Sequence, residues 1–152
     1  MKIVLQKVKS AQVQVDEKTV GHIGHGFLLF LGVTHEDNEA AANWLIEKVL
    51  KLRLFSDEGS DSFMEKNITE VSGSILVVSQ FTLYGDCRKG TRPGFTDAAR
   101  PEQAEKLYNY FVEKLQNTGI SVETGIFGAH MEVSLLNDGP ITLILESKTT
   151  TL

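Results

Sequence analysis

Ser74-Ile75-Leu76-Val77-Val78-Ser79-Gln80-Phe81-Thr82-Leu83-Tyr84 holds four consecutive apolar residues, followed by hydroxyl, amide and hydroxyl side chains set around Phe81. The β-branched run Ile75 to Val78 reads as a central strand, since such side chains suit a pleated and buried surface. That strand delivers Ser79 to Leu83 to an edge of the sheet. Upstream, Ile3 and Leu5, then Val8, Ala11, Val13 and Val15, give period-two stretches that a residue or two of bulge would join. Asp16-Glu17-Lys18 supplies a polar turn, and Val20 and Ile23 lead into Phe27 to Val33, a run continuous enough for a strand buried on both faces. A meander of three or four strands is expected.

Two helices flank the central strand. Thr34-His35-Glu36-Asp37 predicts a helix entry with Thr34 or Asp37 as N-cap, and Ala41, Trp44, Leu45, Val49 and Leu52 make one apolar stripe up to about Arg53. Ser56 to Ser60 ends it as a loop. Pro101 suits the first turn of a second helix; Ala104, Leu107, Tyr108, Phe111, Val112 and Leu115 trace its buried face, and Gly119 is placed as its C-cap. From Ile120 to Glu146 the chain is strand-rich, interrupted by Gly125, Gly128 and a turn at Asn137-Asp138-Gly139-Pro140. The tail from Lys148 to Leu152 is expected to fray. The fold class is therefore α+β: one mixed, strand-rich, sheet or barrel-like domain over residues 1–152, covered by two main helices.

A chain of 152 residues can build its core without metals or disulfides, and Cys87, the single cysteine, permits no intrachain disulfide. A reducing, cytoplasmic setting is expected. Met1 to Lys7 turns polar too early for an export signal, and Phe27 to Leu31 is far short of the roughly 20 apolar residues a membrane span needs. No membrane partner is expected. A net charge of −5 opposes general affinity for nucleic acid, so any RNA contact must be local. Arg88, Lys89, Arg92 and Arg100 offer one such place, opposed by Asp86 and Asp97.

Several chemistries are unsupported. Neither a Gly-x-Ser-x-Gly elbow nor a His-Glu-x-x-His pair occurs. His22 and His25 are three apart in a strand or turn and tend to face different ways, and His35 and His130 lie elsewhere; no metal and no cofactor are expected. Gly21, Gly24 and Gly26 lack the following helix of a dinucleotide site and read as turn residues. Cys87 beside Arg88 and Lys89 could be an activated thiol, but no histidine is near it in sequence to act as base. Taken alone, Ser79 to Leu83 is more simply a strand end bonding to backbone, Asn137 to Pro140 a tight turn, and Arg88 to Arg92 a solvated loop.

Across nearly its whole length, however, the chain resembles the D-aminoacyl-tRNA deacylases. Ser79-Gln80-Phe81-Thr82-Leu83 and Asn137-Asp138-Gly139-Pro140-Ile141-Thr142 are similar to that family's two signature motifs, in order and at similar separation. Tyr84-Gly85-Asp86-Cys87-Arg88-Lys89-Gly90, Arg92-Pro93-Gly94-Phe95, Met1 to Val8 and Gly26 to Val33 support the likeness. Ile141 stands where valine is frequent, and Gly94 where serine is. The resemblance implies hydrolysis of the ester bond in D-aminoacyl-tRNA, with glycyl-tRNA as a secondary substrate, in a homodimer whose sites lie at the subunit interface.

By the same resemblance, backbone N–H groups around Phe81 and Thr82, with Gln80, serve the reacting ester, while Ser79, Leu83 and Phe95 border the substrate and its 3′ terminal adenosine. The resemblance makes Thr82 a catalytic candidate and its hydroxyl a candidate nucleophile, yet no neighbouring base is in sight for it in the sequence, so a positioning role is favoured. Gly139 and Pro140, joined by a cis bond, enter the partner's pocket, grip the α-amino group and leave no space for an L side chain. Arg88, Lys89 and Arg92 become candidate tRNA phosphate contacts. The alternatives are a nucleic-acid-binding relative without hydrolysis, and an editing paralogue of different stereochemical preference.

Overall fold

The computed structural model describes residues 1–148. The expected fraying beyond Lys148 falls outside that range. One long strand, β1 (Lys2–Val15), organises the sheet. On one edge it pairs antiparallel first with β2 (Lys18–Ile23), Val15 opposite Lys18 and Ala11 opposite Ile23. It then pairs with β3 (Gly26–Gly32), from Val8 opposite Gly26 to Lys2 opposite Gly32. β2 and β3 are thus one long antiparallel partner interrupted at Gly24-His25. The expected meander is corrected: β3 returns along β1, because fourteen extended residues in β1 are long enough to host both strands. Asp16 and Glu17, both at positive φ, form the connecting turn, whose twist matches that of the flanking strands.

The remaining strands extend the sheet beyond β3. α1 (Glu39–Lys51) crosses over to β6 (Ser74–Ser79), which runs parallel to β3, and α2 (Pro101–Gln116) crosses over to β7 (Ser121–Thr124), parallel to β6. Between α1 and β6 lie two short strands that the sequence reading did not contain, β4 (Arg53–Phe55) and β5 (Lys66–Asn67). β8 (Glu132–Glu146) pairs along the other edge of β1. The irregularity expected in β1 falls at Lys9, which has no opposite number: Val8 faces Asn137 and Ser10 faces Leu136.

Alternation sorts the core. Phe27, Leu29, Leu31, Ile75 and Val77 join Leu45 and Val49 of α1 and Phe111 and Leu115 of α2 on the helical face. Leu28, Leu76 and Val78 join Val8, Val13 and Ile23 on the other. β3 and β6 are buried on both faces, which is why they read as unbroken apolar runs. The sheet curls until β2 meets β7: a Cβ on Gly21 would lie 2.3 Å from the Thr124 carbonyl oxygen. The result is a barrel-like α+β fold with two covering helices.

Helix ends differ from expectation by a residue or two. The N-cap of α1 is Asn38, whose Oδ1 accepts the Ala41 N–H at 3.1 Å. Asp37 is engaged instead by the Thr34 N–H at 2.7 Å and by the Met1 ammonium, and Thr34 Oγ1 donates to the Asp97 carbonyl. The buried stripe is Ala42, Leu45, Ile46 and Val49; Trp44 is 43% exposed, with the Lys48 ammonium 5.5 Å from its ring centroid. Pro101 opens α2 as expected, but Asn117 is the C-cap and Gly119, at φ +86°, belongs to the following turn. No helix among the described residues is long and apolar enough to cross a membrane.

Candidate active site

β3, β6 and β7 are parallel, so their C-terminal ends share one side of the sheet, the side where parallel sheets commonly take ligands. β6 brings Ser79 there. The Gln80 N–H donates to the Leu31 carbonyl at 2.8 Å, and β3 then ends at Gly32, leaving the next residues without a strand to pair with. Phe81–Tyr84 therefore turns into a single 3-10 turn, where the sequence reading had a continuing strand end. Gly32 lets this turn settle closely: a Cβ there would come within 3.1 to 3.2 Å of Gln80, Leu83 and Tyr84.

Ser79, Gln80 and Phe81 border a cavity of about 270 Å³ whose inner wall is apolar, from Leu31, Val33, Val78 and Ala104. Opposite them stands the segment Phe127-Gly128-Ala129-His130-Met131, between β7 and β8. The sequence reading missed that segment as part of a site. Gly125 and Gly128 marked it as a loop, but only the parallel placement of β7 beside β6 brings it to the same end of the sheet. Tyr108 also borders the cavity, yet its hydroxyl donates to the Val77 carbonyl at 2.8 Å, and burial pushes its pKa up to about 12. It is a neutral, committed donor.

Thr82 is exposed and is not in the cavity wall; its Oγ1 accepts from the Gln80 side-chain amide. No base touches it among the described residues. The N–H groups of Phe81 and Thr82, at the start of the 3-10 turn, have no backbone or side-chain acceptor among the described residues, as first-turn donors commonly do not. Leu83 faces another depression, shared with Lys2, Tyr84, Asp86, Cys87 and Arg88. Phe95 packs edge-on to Phe81, ring centroids 5.1 Å apart, and also lies against Gly85.

The loop after Tyr84 is pinned by a bridge between Asp86 and Gly94. Within it the Arg88 guanidinium grips the Asp86 carboxylate through two hydrogen bonds of 2.8 and 2.7 Å, which holds that carboxyl down to about 2. Lys89 and Arg92 are exposed and lack an ion-pair partner among the described residues. Cys87 is exposed in the depression it shares with Leu83 and Arg88, whose lining among the described residues holds no histidine, while His130 borders the separate cavity. His25 and His35 donate from Nε2 to the carbonyls of Val71 and Thr96. Among the described residues no group of three His, Cys, Asp or Glu is placed to hold a metal ion.

Asn137 to Pro140 is not the hairpin turn expected between two strands. β8 runs through it as one strand, Gln6 facing Thr142 and Val8 facing Asn137, so that Lys7 alone opposes the four residues Asp138 to Ile141. The surplus stands out from the sheet as a bulge. Gly139, at φ +123°, and Pro140 are exposed on it, the bond between them is cis, and neither borders this chain's own cavity. The far edge of β8 has no strand partner among the described residues, and Leu136 and Ile144 on it are 56% and 71% exposed.

Comparison with known proteins gives a consistent result. A family model described as D-Tyr-tRNA(Tyr) deacylase matches residues 4–146. A D-aminoacyl-tRNA deacylase from Halalkalibacterium halodurans is 55% identical over 148 residues, covering 97% of this chain and 100% of the relative. One from Bacillus cereus is 53% identical with the same coverage. Among solved structures, the c-Myc DNA Unwinding Element Binding Protein is similar with a TM-score of 0.90 and 40% identity, over 97% of this chain and 99% of that one. A probable eukaryotic D-amino acid tRNA deacylase shares the fold, with a TM-score of 0.82 and 17% identity over 95% and 98% of the two chains.

Proposed function

Because this chain belongs to the D-Tyr-tRNA(Tyr) deacylase family and is a hydrolase of D-aminoacyl-tRNA, we propose a division of labour between its β6 cavity and the Gly139-Pro140 bulge of a second copy. Water adds across the ester, releasing free D-amino acid and tRNA. The cavity takes the aminoacylated 3′ terminal adenosine, with Ser79 and Gln80 in its wall and Phe95 packed beside Phe81 at its border, while Leu83, which faces the neighbouring depression, meets the substrate only where it extends beyond the cavity. The N–H groups of Phe81 and Thr82 hold the charge that develops on the carbonyl oxygen, as preorganised donors do. Thr82 contributes position rather than attack, because among the described residues its hydroxyl meets the Gln80 amide and no base. An aminoacyl ester is already activated, so orientation and carbonyl stabilisation suffice without a triad, metal or cofactor.

Gly139 and Pro140 exclude an L side chain and bind the α-amino group. The observation that carries this reading is that both are exposed on a bulge yet absent from the wall of their own chain's cavity. A homodimer gives them a pocket, and the unpaired edge of β8 with exposed Leu136 and Ile144 supports one, since edge strands invite pairing. Glycine has no side chain to exclude and is admitted. Lys89 and Arg92 meet tRNA phosphates, with Arg88 already ion-paired to Asp86. The activity is read as that of one domain, residues 1–152, in the cytoplasm.

Incubation with D-Tyr-tRNA, L-Tyr-tRNA and Gly-tRNA tests this. Loss of the first and last with L-Tyr-tRNA intact is expected, and Thr82→Val should keep D-Tyr-tRNA turnover within about threefold, the loss of an orienting contact being a fraction of that of a nucleophile. A hundredfold loss would restore the hydroxyl as nucleophile. The name of the 40% identical structure favours a second reading, binding of nucleic acid without hydrolysis. The charge of −5 opposes it, and intact D-Tyr-tRNA after prolonged incubation would decide for it.

A further inference from the structure

A bulge that sets four residues against one leaves backbone groups outside the ladder, and its shape then depends on whatever replaces those bonds. Asn137 replaces them. Its side-chain Nδ2 donates to the Lys7 carbonyl on β1 at 2.9 Å and to the Ile141 carbonyl on the far side of the bulge at 3.1 Å. Its Oδ1 accepts from Thr142 Oγ1 at 3.4 Å, and that hydroxyl accepts from Gln6 Nε2 at 3.2 Å. One half-buried carboxamide therefore ties the base of the loop across its neck and to the neighbouring strand. Only a group with two N–H donors and an acceptor can meet both carbonyls and the hydroxyl; a carboxylate has no donor and would face two carbonyl oxygens. Nearby, the Lys7 ammonium is 3.8 Å from Asp138 Oδ2 and 4.9 Å from the Phe55 ring centroid, which steadies the outer limb of the bulge.

We infer that Asn137 is a positioning residue for chiral selection: by bonding both sides of the bulge it sets where Gly139 and Pro140 stand, and so how sharply D is told from L. This rests on the proposed role of those two residues. The test measures deacylation of D-Tyr-tRNA and L-Tyr-tRNA by Asn137→Asp and Asn137→Ala, beside melting curves and a Gly139→Ala reference. Unsatisfied carbonyls at the neck should lower the D-over-L rate ratio by about tenfold or more, through kcat for the D ester and a gain on the L ester. Thr142→Val, which spares both Nδ2 bonds, should have a smaller effect in the same direction. A merely structural asparagine would lower the melting temperature and the amount of folded enzyme while leaving the ratio unchanged, and that result would overturn the inference. Should Asn137→Asp not fold, Asn137→Ser, which keeps one donor, is read by the same ratio. A changed ratio in Gly139→Ala with none in the folded Asn137 variants removes only the role of Asn137. No change in either removes the wedge reading and this inference with it.

Discussion

Gly139→Ala should leave a folded protein that has lost D-Tyr-tRNA deacylation by about a hundredfold, the scale on which a displacement of about 1 Å at a reacting centre is felt. A Cβ on Gly139 would sit 2.8 Å from Ile141 Cγ1 and 3.0 Å from the Ile141 nitrogen, at a φ of +123° that L side chains rarely adopt. The bulge must therefore move, and Pro140 moves with it. Because the bulge is exposed and no buried cluster includes Gly139, the fold should feel little of this. Single-turnover deacylation of D- and L-Tyr-tRNA with a melting curve on the same preparation separates the two effects. Unchanged rates in a folded variant would contradict the assigned role.

Gly26→Ala should do the reverse and prevent folding. Gly26 opens β3 beside Ser74, and a Cβ there would lie 1.8 Å from the Ser74 carbonyl oxygen and 2.7 Å from its nitrogen. Neither atom can yield, because Ser74 begins β6 and its N–H donates to the His25 carbonyl at 3.1 Å. Relief requires parting the parallel pair that carries Leu28, Leu29, Leu76 and Val77, all fully buried. A loss of about 4 kcal/mol or more is expected, beyond ordinary overpacking and a large part of a typical domain's stability. Urea unfolding, or the absence of soluble protein, would report it; a midpoint near that of the unsubstituted chain would contradict the close approach.

These two glycines mark how far the sequence could be read. Local patterns were legible where one strand or helix sets them: the alternation of β1, the apolar runs of β3 and β6, and the face of α2 from Ala104 to Leu115. Pairing was not. Nothing local in Lys18 to Gly32 distinguishes a strand folding back on β2 from one continuing along β1. Asn137-Asp138-Gly139-Pro140 carries the same turn chemistry whether the chain reverses or merely bulges; the difference lies in Val133 and Leu135 on one side and Leu143 and Leu145 on the other all facing β1. Asp37 lost the N-cap to Asn38 through its ties to Thr34 and the Met1 ammonium, partners remote from the helix stripe.

The candidate site divides in the same way. Ser79, Gln80 and Phe81 were visible as polar and aromatic residues at the end of an apolar strand, and the structure sets them at a cavity. Phe127 to Met131 were invisible as their counterpart, because only the parallel order of β6 and β7 brings them there. Thr82 and Leu83, contiguous with them in sequence, turn away as the 3-10 turn rotates successive side chains by about a third of a turn each.

Whether the wedge acts in its own chain or in its partner's is best measured by complementation. Chains carrying Gly139→Ala are co-expressed with chains whose cavity is filled by Ala129→Trp, each inactive on D-Tyr-tRNA by itself. If the bulge works across a dimer, mixed dimers hold one site with both defects and one with neither, and about a quarter of all sites should recover activity. Activity that stays at the level of the separate variants, with mixed dimers demonstrably formed, would contradict the exchange of the Gly139-Pro140 bulge between copies.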